Sequence, residues 1–185
     1  MRVNVYLVII LLLLSACSSK PTLELVKSTV EIKEVSYVGF FSNGEVAKLP
    51  YIMSYNFRLE NTGQNMVGGL GKLMDSNSEE GLKVTLEPSE KLIALSNEIF
   101  GVNVFEDGGR KFGSGETIVP ILVPHQHSDF TIDFVLMEIS ENAEIKVPTF
   151  EQAEKLKSAA MDATLVVAMK NKEIGRFDLK NATKN

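Results

Sequence analysis

Tyr51-Ile52-Met53-Ser54-Tyr55-Asn56-Phe57-Arg58-Leu59-Glu60-Asn61-Thr62-Gly63 decides the fold class. From Met53 onward, apolar and polar side chains alternate, and the run stops on turn-forming residues. Successive side chains of a strand point to opposite faces, so this period of two predicts one buried face and one wet face. That division belongs to an antiparallel sheet covered on one side.

Working outward, shorter strands are predicted at Leu82-Val84-Leu86, Val102-Val104, Ile118 to Val123, Phe130-Ile132-Phe134-Leu136 and Ala163-Leu165-Val167-Met169. A two-residue turn at Asn171-Lys172 leads into a last strand, Ile174 to Leu179. Leu23 to Phe41 reads as a long strand before the turn Ser42-Asn43-Gly44. Its apolar parity changes between Val30-Ile32 and Val35-Tyr37, which predicts a bulge or bend. Ser89 to Phe100 is ambiguous, because Leu92, Leu95 and Ile99 have helical spacing. Thr149 to Met161 is the clearer helix. Thr149 and Gln152 form a capping box, with Glu151 early and Lys155 and Lys157 late, matching the helix dipole.

Roughly seven to nine short strands with turns between them fit a mainly β fold, an antiparallel β-sandwich with one or two short helices. The stretch Tyr55-Asn56-Phe57-Arg58-Leu59-Glu60-Asn61-Thr62-Gly63 resembles strands of the immunoglobulin-like domains common in small bacterial lipoproteins. The resemblance implies one immunoglobulin-like domain over residues 23–180, followed by a polar tail at 181–185. There is no Trp and a single Cys, so the antibody-type hallmarks are missing and the strand order stays open.

That cysteine ends the run Leu14-Ser15-Ala16-Cys17. Arg2 supplies a short positive segment, Val5 to Leu14 a dense apolar one, and Ser15 and Ala16 the small residues of a processing site. The apolar run falls short of the roughly 20 residues that a membrane-spanning helix needs. Leu14-Ser15-Ala16-Cys17 resembles the lipobox of bacterial lipoproteins. The resemblance implies that residues 1–16 are a signal peptide cut away, that the Cys17 sulfur carries lipid, and that 17–22 form a short tether. At about 3.3–3.6 Å per residue, Ser18 to Thr22 reaches less than ~20 Å from the membrane. The lipoprotein resemblance further implies anchoring on the extracytoplasmic side of the cell membrane or the outer membrane. Ser18 and Ser19 lack the Asp that tends to retain such proteins in an inner membrane.

The chain has 185 residues with 19 basic and 24 acidic side chains, and removal of 1–16 takes away Arg2 and no carboxylate. An acidic domain without a basic stripe is unsuited to nucleic acid. No Lys/Arg cluster follows Cys17 to hold anionic lipid electrostatically. With Cys17 modified, no disulfide can form within the mature chain, and packing must stabilise it.

The only histidines lie in His125-Gln126-His127-Ser128-Asp129. In an extended segment His125, His127 and Asp129 share one side and offer two imidazoles and a carboxylate to zinc or copper. The string resembles the His-x-His-x-Asp-His motif of metallo-β-lactamase-type hydrolases, but Phe130 stands at the last position. A polar turn after Pro124 is the plainer reading. Asp75-Ser76-Asn77-Ser78-Glu79-Glu80 has the opening spacing of a calcium loop, with Glu80 where Gly belongs and Leu86 where the closing Glu belongs. Gly68-Gly69-Leu70-Gly71-Lys72 is followed by Leu73 and lacks the Ser or Thr of a phosphate loop. Gly108 to Gly115 reads as a surface loop whose Arg110, Lys111 and Phe112 could contact a partner. Gly113-Ser114-Gly115 lacks the wider spacing of a nucleophile elbow. No catalytic set is assembled and no cofactor is called for. The expectation is a non-enzymatic, lipid-anchored binding or accessory module for a protein or envelope partner. The alternative is a small-ligand or metal-binding lipoprotein using the His125–Asp129 turn or the Gly108–Gly115 loop.

Overall fold

The computed structural model describes residues 22–34, 51–68, 82–106, 116–119, 121–136, 138–139 and 145–182. In chain order its elements are β1 (Leu23–Glu34), β2 (Tyr51–Asn61), β3 (Val67–Gly68), β4 (Leu82–Pro88) and α1 (Glu90–Phe100). Then come β5 (Glu116–Val119), β6 (Ile121–Leu122), β7 (His127–Leu136), β8 (Glu138–Ile139) and β9 (Ile145–Lys146). The chain continues through α2 (Phe150–Ser158), β10 (Ala163–Met169), β11 (Lys172–Asp178) and α3 (Leu179–Ala182). The fold is mainly β, and every described strand pairing is antiparallel.

The alternation of β2 does what its sequence predicts. Met53, Tyr55, Phe57 and Leu59 are buried, and β2 is the centre of a three-stranded sheet ordered β1-β2-β7. Met53, Tyr55 and Phe57 lie opposite Phe134, Ile132 and Phe130 of β7, all facing inward. The rings of Phe57 and Phe130 stack at 5.4 Å, and Tyr55 meets the Phe134 ring edge-on at 5.8 Å. Cross-strand aromatic pairs of this kind add about 0.5–1.5 kcal/mol each beyond their buried area.

β1 carries a bulge near its start that its apolar parity does not signal. The register slips between Leu25 and Lys27, so Val26 is skipped. Ile32, Val30 and Ser28 face inward opposite Met53, Tyr55 and Phe57; a regular ladder would next turn Val26 inward opposite Leu59. The bulge puts Leu25 there instead, 9% exposed, and leaves Val26 45% exposed. The expected site at Val35-Tyr37, and the Ser42-Asn43-Gly44 turn, lie outside the described residues.

The second sheet runs β11-β10-β4-β5. Leu82, Val84 and Leu86 of β4 face Met169, Val167 and Leu165 of β10. The final hairpin turns one residue earlier than the sequence suggests. Lys170 and Asn171 occupy the loop with φ of 51° and 59°, and Lys172 already pairs with Met169. Two successive positive φ values define the type I′ turn, whose twist matches the flanking strands. Ile118 to Val123 is divided between β5 and β6, with β6 pairing with β3.

The ambiguous segment after β4 is a helix. The Ser89 side chain accepts from Leu92 N at 3.1 Å, and Gly101 ends α1 in the left-handed region at φ 77°. Here a Cβ would be strained, and glycine fits. Val102-Val104 is not a strand. Ser96 Oγ donates to Val102 O and accepts from Val104 N, holding the chain in a turn against α1. In α2 both halves of the Thr149–Gln152 capping box are present, and the helix ends at Ser158 rather than Met161. The chain end is ordered further than expected. Leu179 is fully buried, and Asn181 Nδ2 donates to Asp178 Oδ2, so α3 takes in the start of the anticipated polar tail.

Both sheets turn their apolar faces into one core. Leu92 and Phe100 of α1, Ala153 and Leu156 of α2 and Leu179 of α3 join it. β5 lies against β7, so the two sheets meet along that side. No described helix is long and apolar enough to cross a membrane.

Candidate functional site

The richest set of polar side chains lies on the outer face of the β1-β2-β7 sheet. Alternation sends Ser54, Asn56, Arg58 and Glu60 outward from β2, and the register places partners beside each. Arg58 donates Nε and Nη2 to the two oxygens of Asp129 at 2.6 and 2.7 Å. This bidentate fork holds the Asp129 carboxyl below the usual carboxylate range and raises the Arg58 guanidinium. One rung along, Thr131 Oγ1 donates to Asn56 Oδ1, and Asn56 Nδ2 donates to Glu31 Oε1. Glu31 also pairs with Lys33 at 2.7 Å, and the hydrogen bond from Lys33, then that from Asn56, lowers its carboxyl. At the third rung Ser54 Oγ donates to Asp133 Oδ1 at 2.5 Å and accepts from Lys33 Nζ at 3.1 Å. Ser54 itself has no exposed surface.

Asn61 closes this face at the end of β2. Its buried amide donates to Asn65 O and Leu122 O and accepts from Gly63 N. Its backbone N donates to Gln126 O and its carbonyl accepts from His125 N. One side chain thus ties the β2 exit to β6, while its backbone fixes the turn before β7. A Cβ at Gly63 would come within 3.2 Å of Asn61 Oδ1, which fits glycine there.

The histidine string is split by that turn. His125 is exposed in the turn at φ 58°, and its backbone is committed to Asn61. His127 opens β7 opposite Glu60, and Asp129 follows on the same outer face, engaged by Arg58. Among the described residues no group of three His, Cys, Asp or Glu side chains could hold a metal ion. Cys17, Asp75 to Glu80, Gly69 to Lys72, and the Gly108–Gly115 loop with Arg110, Lys111 and Phe112 lie outside the described residues.

The sequence reading missed Ser54, Asn61 and Arg58 as organisers. Arg58 and Asp129 are far apart in sequence, and nothing local couples them. Asn61 alone gave a signal, as the Asn of an Asn-Thr-Gly turn, but not its reach to Leu122. No protein-family profile, curated protein or solved structure matches this chain.

Proposed function

We propose that this protein is a membrane-anchored extracytoplasmic lipoprotein. It would act as a non-enzymatic binding or accessory module for an envelope partner, on an immunoglobulin-like sandwich. The observation that carries the reading is the Leu14-Ser15-Ala16-Cys17 lipobox only six residues before β1 begins at Leu23. The anchor would hold the domain against the membrane, where its strand edges and end loops are the surfaces offered. Two antiparallel sheets around one core support the sandwich reading. The polar side chains of the outer face bind one another, as those of a rigid scaffold do.

The metal-binding alternative loses support from the same geometry, because Asp129 is already held by Arg58 and His125 sits off the strand. In-cell cross-linking of the anchored protein, with mass spectrometry of captured species, tests the adaptor reading. A partner recurring with the wild type and lost on Cys17→Ala is expected. Identical captures from both forms would remove the anchor from the function.

A further inference from the structure

Among the described strands β1 has one edge without a partner, and that edge reads as its own complement. β1 bonds β2 on one side and no described strand on the other, and α2 and α3 pack against it. Backbone bonds beyond those of the ladder begin at Thr22 and involve none of Leu23 to Glu34 among the described residues. Because of the Val26 bulge, the outward row of β1 is Glu24, Lys27, Thr29, Glu31 and Lys33, all exposed. The inward row is Leu23, Leu25, Ser28, Val30, Ile32 and Glu34, with Leu23, Val30 and Ile32 half-buried and Glu34 exposed.

We propose that two copies of this chain pair antiparallel through β1 about a two-fold axis at Thr29. The two three-stranded sheets would then become one continuous sheet. In that register Thr29 faces its symmetry mate, Lys27 faces Glu31, and Glu24 faces Lys33 across the skipped Val26. Every charge of the outer row meets its opposite. The inner row places Val30 against Ser28 and Ile32 against Leu25, extending the apolar face until the exposed Glu34 meets Leu23 at the end of the strand. Most other two-fold registers fail on charge. Centring on Lys27 or Glu31 sets that residue against itself, centring on Ser28 opposes Glu24 to Glu31, and centring on Val30 opposes Lys27 to Lys33. Registers centred on Ile32 or Leu25 avoid like charges but leave the Glu24–Thr29 or the Thr29–Glu34 half without a partner strand from β1. Edge charges ordinarily block strand pairing; here their order selects one partner, since opposite charges across a strand pair attract and like charges repel. A closed two-fold pairing also consumes the edge and stops further growth.

Thr29→Cys in the full-length Cys17→Ala chain tests the register, because residues on the axis come within disulfide reach. Rapid intermolecular disulfide formation is expected for Thr29→Cys and not for Lys27→Cys, whose copies lie on opposite sides of the axis. Sedimentation of the full-length Cys17→Ala chain should show a dimer. The charge reversal K27E should weaken it about tenfold or more, and K27E/E31K should restore it. Circular dichroism identifies any variant that has lost its fold. A monomer at all concentrations, or equal cross-linking of both cysteine variants, overturns the proposal. These readouts are independent of lipidation and of any envelope partner.

Discussion

Ser28 and Tyr55 carry opposite polar accounts within one core. Ser28 faces Phe57 from β1, is 6% exposed, and its hydroxyl has no hydrogen-bond partner among the described residues. A buried hydroxyl without a partner costs about 1–3 kcal/mol. Ser28→Ala is therefore expected to leave stability unchanged or raise it, as read by urea unfolding. A clear loss would show that the hydroxyl is satisfied. Tyr55 is fully buried, and its Oη donates to Ala160 O at 2.9 Å, linking β2 to the turn after α2. Burial pushes its phenol well above the ordinary range, so it stays neutral and keeps its proton for that bond. Tyr55→Phe strands the Ala160 carbonyl and should cost ~1–3 kcal/mol, measured the same way. Loss below about 0.5 kcal/mol would mean that the carbonyl finds another donor.

Elements whose signals are local were legible from sequence. The capping box at Thr149 needs only residues three apart, and both of its hydrogen bonds are present. Thr149→Ala should cost about 0.5–2 kcal/mol of stability, checked by thermal melting, and a neutral result would deny the cap a role. The bulge at Val26 gave no signal in sequence because pairing with β2 sets it, not the apolar parity of β1 alone. The last hairpin was read one residue late because Lys170, not a usual turn former, takes a positive φ beside Asn171. Sheet partners were illegible for the same reason as Arg58–Asp129: sequence gives the period of a strand and not its neighbour.

Ion pairs give a pH dependence of defined sign. Asp162 is lowered chiefly by its hydrogen bond with Lys180, Glu173 by Arg176 and Asp129 by Arg58. Carboxyls lowered in the folded state contribute stability above the unfolded value, near pH 4, and lose it as pH falls through the folded value. The melting temperature should thus drop on acidification below about pH 4. The slope should flatten in high salt, because the Arg58–Asp129 and Arg176–Glu173 pairs are exposed and screened, the half-buried Asp162 less so. A melting temperature that rises on acidification would contradict the assignment.

For the whole molecule, a mainly β, antiparallel class followed from alternation alone, and the single core of two sheets and short helices bears that coarse reading out. The role was less legible, because a polar sheet face and a turn carry no chemistry until their partners are known. The proposed lipid anchor on Cys17 would decide where every surface of the domain is offered. The most direct test is the mass of the mature N-terminus together with membrane fractionation of wild type and Cys17→Ala. The account predicts that the wild type sediments with membranes, lacks residues 1–16 and carries a lipid adduct on Cys17. Cys17→Ala should appear in the soluble fraction. A wild-type chain that keeps residues 1–16 or bears no lipid, or a Cys17→Ala form that still sediments with membranes, would contradict it.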